Sequence, residues 1–151
     1  MVLAAFSVTG LSLGASSSAP PKEGAPVGII TNKNGKTSTL IGSENNAGIP
    51  APKTLPKWAK IYPGAKVISA AEPSDNTGGS VSYVSGDPIA KVAAFNDTTL
   101  AAAGKKPGPI ADNATAAVRY VGKDASDGGG MIMMSREKNV TSVSILYSAA
   151  R

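Results

Sequence analysis

A short stretch of the chain combines cations with aromatic rings at a spacing suited to an anionic surface. In order, it contains Lys53, Lys57, Trp58, Lys60 and Tyr62. Lysine ammonium groups attract anionic headgroups, envelope polymers or phosphates, and aromatic rings add contact area at such a surface. These five residues are therefore the candidate surface-binding site. The alternative we favour is that the lysines keep a linker soluble, while Trp58 and Tyr62 pack against the domain.

The charge is unevenly distributed along the chain. The formal net charge of +5 lies entirely in residues 22–66, which hold seven Lys against two Glu, because residues 67–151 carry eight basic and eight acidic side chains. A basic leading third favours contact with an anionic surface, such as membrane headgroups or an envelope polymer, and a protein partner also stays open. Nucleic acid is the least favoured partner, because no Arg precedes Arg119 and no recognition motif is present.

The residue types restrict the available chemistry severely, because the chain contains neither Cys nor His. Thiolate and imidazole chemistry and the corresponding metal sites are excluded, so an enzyme would depend on carboxylates, Lys and Tyr. Ser135 and Lys138 have the Ser-x-x-Lys spacing of penicillin-binding proteins, but they fall where two predicted strands turn. Asp124 and Asp127 lack the further carboxylates of a calcium loop. We therefore predict no enzyme, no catalytic residue, no metal site and no cofactor.

The N-terminus has the character of an export leader. Residues 1–15 carry no charged side chain and are too short to span a bilayer, which favours a signal peptide. The Leu-Gly-Ala of residues 13–15 resembles the end of a bacterial lipoprotein leader, with Ser16 where the lipid-bearing Cys would stand. Ser16 is therefore the candidate lipid-anchor position, although no basic residue precedes Lys22. Alternatively, residues 1–15 form an ordered element that packs on the domain or on a neighbouring subunit.

Composition divides the rest of the chain into three parts. Residues 16–26 are rich in Ser and Pro and predict a linker. Residues 27–54 predict a β-hairpin that turns at Asn34-Gly35, followed by a basic loop. Residues 55–151 predict a folded domain.

The pattern within the domain predicts an α+β fold. Strands are expected near residues 65–71, 80–85, 114–121, 130–136 and 140–148. Asp87 and Pro88 are expected to begin a helix, with Asp87 as its cap, and Gly104 to end it. The order β-β-α-β-β-β predicts an antiparallel sheet with one helix packed on a face.

The residues that lead into the first of these strands carry a family resemblance. Leu-Pro-Lys-Trp-Ala-Lys-Ile-Tyr-Pro-Gly-Ala-Lys at residues 55–66 is followed by a glycine-rich turn, a Val-Ser-Tyr-Val-Ser strand and Asp-Pro. This order resembles a group of uncharacterised bacterial exported proteins, in which a Tyr-Pro-Gly-Ala turn leads into a small α+β domain. The resemblance covers residues 50–151. It implies a fold and a location in the cell envelope, and it implies no activity.

Two functional hypotheses follow from the sequence. The first is a non-enzymatic exported module that binds an unidentified ligand in the bacterial periplasm, at the outer membrane or on the cell surface. The second is a structural subunit of a surface filament or envelope assembly, which would form oligomers through residues 1–15. Whether residues 1–15 persist in the mature protein distinguishes the two.

Overall fold

The computed structural model of the protein describes residues 26–31, 35, 37–42, 48–75, 77–124 and 128–148. The predicted leader, the candidate lipid anchor at Ser16 and nearly all of the predicted linker lie outside the described residues. So does the centre of the Asp-Gly segment considered as a calcium loop.

The described residues form one eight-stranded sheet in which every neighbouring pair is antiparallel. The order across the sheet is β1-β2-β3-β4-β8-β7-β6-β5. The strands are β1 (Pro26–Thr31), β2 (Thr37–Gly42), β3 (Lys66–Pro73), β4 (Gly78–Ser85), β5 (Gly108–Asp112), β6 (Ala116–Asp124), β7 (Gly128–Glu137) and β8 (Val140–Ser148). Helix α1 (Ile89–Ala102) lies between β4 and β5 in the chain.

Along the central strands, buried apolar residues alternate with residues on the opposite side of the sheet, and the buried set forms the core. In β8, Val143, Ile145 and Tyr147 are buried, whereas the residues between them face the other way, as expected for a strand with period two. Their partners in β4 and β7 alternate in the same register, so one side of the sheet is consistently apolar. We call this side the core face.

Helix α1 packs on the core face. Its buried side recurs at helical spacing, with Val92 and Leu100 fully inaccessible. The helix ends as predicted at Gly104, which adopts φ +71° while the Lys105 N–H donates to the Leu100 carbonyl at 2.9 Å. The predicted cap at Asp87 is wrong: Pro88 occupies the capping position without a side-chain hydrogen bond. The Asp87 carboxylate instead accepts from the Tyr62 hydroxyl at 3.0 Å.

A segment without regular structure, residues 48–65, completes the cover of the core face. Its Trp58 is 0% exposed and lies on the inward side of Gly130 in β7. Its Tyr62 contacts Phe95 of α1 edge-on, with ring centroids 5.3 Å apart. We call residues 48–65 the cover segment.

The predicted α+β arrangement, an antiparallel sheet with one helix, is confirmed, but the predicted order is incomplete. Strand β5 was not predicted, because Gly108 and Pro109 are typical of loops and Pro is tolerated only at a sheet edge. The hairpin of β1 and β2 was expected to precede the sheet. In the structure β2 pairs with β3, so the hairpin continues the same sheet.

The close packing around Gly130 can be tested by substitution. A Cβ added to Gly130 would press first on the backbone carbonyl oxygen of Leu146 in β8, and it would also lie 2.8 Å from Trp58 Cη2. We therefore expect Gly130→Ala to lower the free energy of unfolding by about 1–3 kcal/mol. Gly122 is the matched control, since an added Cβ meets nothing within 4 Å there. Gly122→Ala should stay within about 0.5 kcal/mol of the parent in chemical denaturation. Equal stability of the two variants would contradict this packing.

Candidate functional site

The side of the sheet opposite α1 carries an unusual set of side chains. We call it the outer face. All five large apolar residues that are exposed in the described part of the chain have outward positions on it by strand register. They are Leu40, Tyr120, Met133, Val140 and Leu146. Exposed apolar residues scattered singly are ordinary, whereas a set collected on one face indicates a surface that contacts something.

Strand register arranges the outer face into rows that cross the sheet. The first row, from β2 to β6, is Leu40, Ala71, Ser80, Leu146, Met131 and Tyr120. The second row is Gly42, Ser69, Ser82, Ser144, Met133 and Val118. Neither row contains a charged residue. This differs from the solvated face of an ordinary antiparallel sheet, on which polar and charged residues alternate with the core positions.

Two serine hydroxyls at the centre of the outer face are hydrogen-bonded to each other. Ser82 and Ser144 lie opposite each other in β4 and β8, and their hydroxyl oxygens are 2.9 Å apart in a hydrogen bond. A hydroxyl that already has a protein partner loses less when water is removed than one without. The middle of the face is therefore prepared for contact with another surface.

An open groove of about 510 Å³ adjoins the first row. Tyr120, Met131 and Leu146 belong both to the row and to the groove, and glycine backbone contributes to its walls. The groove lining is therefore continuous with the apolar part of the outer face.

On the helix side, an ion-pair cluster around Arg119 connects α1 with strands β5 and β6. Arg119 is 4% exposed, and its guanidinium binds both carboxylate oxygens of Asp97 in α1, at 2.8 and 3.1 Å. It also donates to Asp112 of β5 at 2.8 Å. The hydrogen bond to Asp97 is the main cause that raises the pKa of Arg119. This cluster ties the helix to β5 and β6.

A second polar cluster fixes the start of α1. The Arg136 guanidinium donates to the Asp87 carbonyl at 2.6 Å and to the Thr141 hydroxyl at 2.7 Å. The Thr141 hydroxyl donates to the same carbonyl at 2.7 Å. The groups in both clusters are used to hold the fold.

The structure separates the five residues of the predicted surface-binding site. Lys53, Lys57 and Lys60 are exposed along the cover segment. Trp58 is in the core, so its indole is not available to a surface ligand, and that part of the prediction is wrong. Tyr62 is half-buried between Phe95 and Asp87. The alternative, in which the two aromatic residues pack against the domain, describes their positions.

Sequence reasoning missed the outer face, although a pattern indicated it. Strand β7 contains Met131, Ile132, Met133 and Met134 in succession, without polar alternation. A continuous apolar run in a strand is typical of strands covered on both faces. The run by itself predicts a strand, and its second apolar side becomes a continuous face only through the neighbouring strands β6 and β8.

Two buried tyrosines differ in how their hydroxyls are satisfied. The Tyr147 hydroxyl is hydrogen-bonded to Thr54 at 2.9 Å. Among the described residues, the Tyr83 hydroxyl is the one buried side-chain polar atom without a hydrogen bond. Asn96 lies near it, but its amide donates instead to the Val92 carbonyl at 2.8 Å and to Met134 Sδ at 3.8 Å.

This difference predicts opposite effects of the same substitution. Tyr83→Phe removes an unsatisfied hydroxyl and should raise the free energy of unfolding by up to about 1–3 kcal/mol. Tyr147→Phe removes a bonded hydroxyl and should lower it by about 0.5–1.5 kcal/mol. Denaturant titration at neutral pH measures both, and a loss of stability in Tyr83→Phe would contradict the prediction.

Tyr83 and Tyr147, together with Tyr62, should make the stability of the fold depend on pH in alkaline solution. Burial raises the pKa of Tyr83 and of Tyr147, and the hydrogen bond to Asp87 raises the pKa of Tyr62 above 10.0. Above pH 10 the unfolded chain therefore loses these protons before the folded chain does. Their contribution to stability is complete below pH 10 and is lost as the pH rises towards the folded pKa values. The melting temperature should fall above pH 10, and less steeply in Tyr83→Phe. An identical slope in that variant would contradict the assignment.

Comparisons with protein-family models, with curated proteins and with solved structures found no match to this chain. Within the residues that the structure describes, no helix has the length and apolar character needed to cross a membrane. The outer face, with its adjoining groove, is the candidate functional site.

Proposed function

We propose that this chain is a non-enzymatic, exported module of the bacterial envelope that acts by binding a protein through its outer face. The observation that carries the proposal is the gathering of all five exposed large apolar residues of the described chain on that face. Protein interfaces are depleted of charge at their centre and enriched in Tyr and Met. The two rows carry no charge, and they contain Tyr120, Met131 and Met133.

The opposite side of the molecule supports the same assignment. Lys53, Lys57 and Lys60 are exposed on the cover segment, which lies across the sheet from the outer face. These lysines carry part of the positive charge on a side that does not compete with the apolar rows. They are the residues through which an anionic membrane surface or envelope polymer would be contacted, without the help of Trp58.

The location in the envelope is proposed from the leader. An uncharged segment ending in Leu-Gly-Ala before Ser16 supports export to the periplasm, the outer membrane or the cell surface. The alternative function is a structural subunit that keeps residues 1–15 for contacts between subunits. The intact mass of the protein isolated from its native envelope separates the two. A mature chain that begins at or near Ser16 supports the binding module, and a chain that retains residues 1–15 favours the subunit.

Protein association in the native cell tests the role of the outer face. After mild crosslinking of expressing cells, the parent chain should be recovered joined to another protein molecule, a second copy of the chain included. We expect Leu146→Lys and Met133→Lys to lose this crosslinked product, because a buried unpaired cation is costly in an apolar interface. Ala101→Lys is the matched control, since Ala101 is exposed on α1, on the other side of the sheet, and it should crosslink like the parent chain. Equal crosslinking of all four proteins would contradict the proposal.

A further inference from the structure

We propose that the partner on the outer face is a second copy of this chain, packed face to face about a two-fold axis that runs along the strands between β4 and β8. This inference rests on the proposed function, in which the outer face is a binding surface, and it names the partner.

The two halves of the outer face differ in side-chain size. The half formed by β2, β3 and β4 presents mostly small residues in the first two rows. They are Gly42, Ser69, Ala71, Ser80 and Ser82, with Leu40 at the margin. The half formed by β8, β7 and β6 presents mostly large residues. They are Leu146, Met131, Met133, Val118 and Tyr120, with Ser144 beside the midline.

Because of the strand order, the half with small residues in one copy can face the half with large residues in a second copy. Four strands lie on each side of the boundary between β4 and β8. A two-fold axis along that boundary places β4 over β8, β3 over β7 and β2 over β6 of the second copy. The same residues then meet in both directions, as an isologous interface requires.

Four of the six pairs produced by this operation combine a small residue with a large one. Within the first row, Ser80 faces Leu146 and Ala71 faces Met131. Within the second row, Ser69 faces Met133 and Gly42 faces Val118, whereas Ser82 faces Ser144, both of them small. Large side chains opposite small ones allow two sheets to interdigitate at the usual separation of about 10 Å. Leu40 faces Tyr120 at the rim, where an aliphatic side chain and a ring can lie side by side.

Charge is also compatible with this arrangement. The row that follows the second row contains Lys66 of β3, together with Ser142 and Ser135. Lys66 is the charged residue nearest to the second row on this side. The operation places Lys66 over β7 of the second copy, where Ser135 and Glu137 lie near the same end of the strands. Two molecules of net charge +5 repel at long range. Because the face itself is uncharged, added salt should strengthen the association.

The available area suits a weak, reversible dimer. Six strands at about 4.8 Å and the two uncharged rows at about 6.8 Å give roughly 400 Å² for each copy. Two copies would therefore bury roughly 800 Å², which is the size of a weak or transient interface. This size predicts a dimer that dissociates on dilution.

Three neighbouring methionines provide a test within the unmodified full-length chain. Met131 and Met133 point outwards, whereas Met134 points into the core and is 2% exposed. Oxidation of a thioether follows its exposure. We expect oxidation of Met133 by hydrogen peroxide to slow about fivefold or more as the protein concentration rises from about 1 µM to about 1 mM. Met134 should stay slow throughout. Tandem mass spectrometry of the tryptic peptide that holds all three methionines gives the rates.

Substitution and sedimentation identify the surface responsible. The mass from sedimentation should double over the same concentration range in the parent chain and in Ala101→Lys. Leu146→Lys and Met133→Lys should stay monomeric, and Leu146→Lys should show concentration-independent oxidation of Met133. Thermal melting of dilute samples checks that each variant folds, and two variants are used so that one failure does not decide the outcome.

Other occupants of the face give different results, each of which overturns the inference. Dimers that persist in both lysine variants would arise elsewhere, as through residues 1–15. A monomer with slow Met133 oxidation at every concentration would mean that the chain covers its own face. A monomer with rapid Met133 oxidation in solution, but slow oxidation in an envelope suspension, would identify a different partner and leave the proposed function standing. Rapid oxidation in both settings would overturn both proposals.

Discussion

The burial of Trp58 against Gly130 of β7 is the contact that holds the cover segment on the core face. A Cβ at Gly130 would meet the backbone oxygen of Leu146 first and would also lie 2.8 Å from the indole. With Trp58 at 0% exposure, the cover segment is held against the core face and its Tyr62 reaches Phe95 of α1. The helix and the cover segment therefore occupy the same side. The outer face is the side that this arrangement leaves without either of them.

The two sides of the sheet consequently differ in how charged and polar groups are placed on them. On the helix side, the buried Arg119 guanidinium is paired with the carboxylates of Asp97 and Asp112, because an unpaired buried charge would be costly. On the outer face, charge is absent from two complete rows, and Ser82 and Ser144 share a hydrogen bond. The first pattern stabilises the molecule, and the second lowers the cost of removing water from its surface. This difference is the basis for the proposed association through the outer face.

The elements that could be predicted were those in which local pattern and tertiary role agree. Strand β8 alternates clearly, and α1 has its buried residues at helical spacing with Gly104 at its end, so both were expected near their observed bounds. Asp87 failed as a predicted cap because Tyr62, which is distant in sequence, competes for its carboxylate. Strand β5 is held by pairing with β6 and by the ion pair of Asp112 with Arg119, neither of which is visible in its own residues. Trp58 and the outer face depend likewise on contacts between distant segments.

The claim that the molecule associates through its outer face is tested most directly by isotope-filtered NOE spectroscopy on a mixture of labelled and unlabelled chains. A dimer through the outer face predicts intermolecular signals from the methyl groups of Leu146 and Met131 to Ser80 and Ala71 of the other copy. Intermolecular signals that arise only from the exposed side of α1 or from the lysines of the cover segment would contradict it.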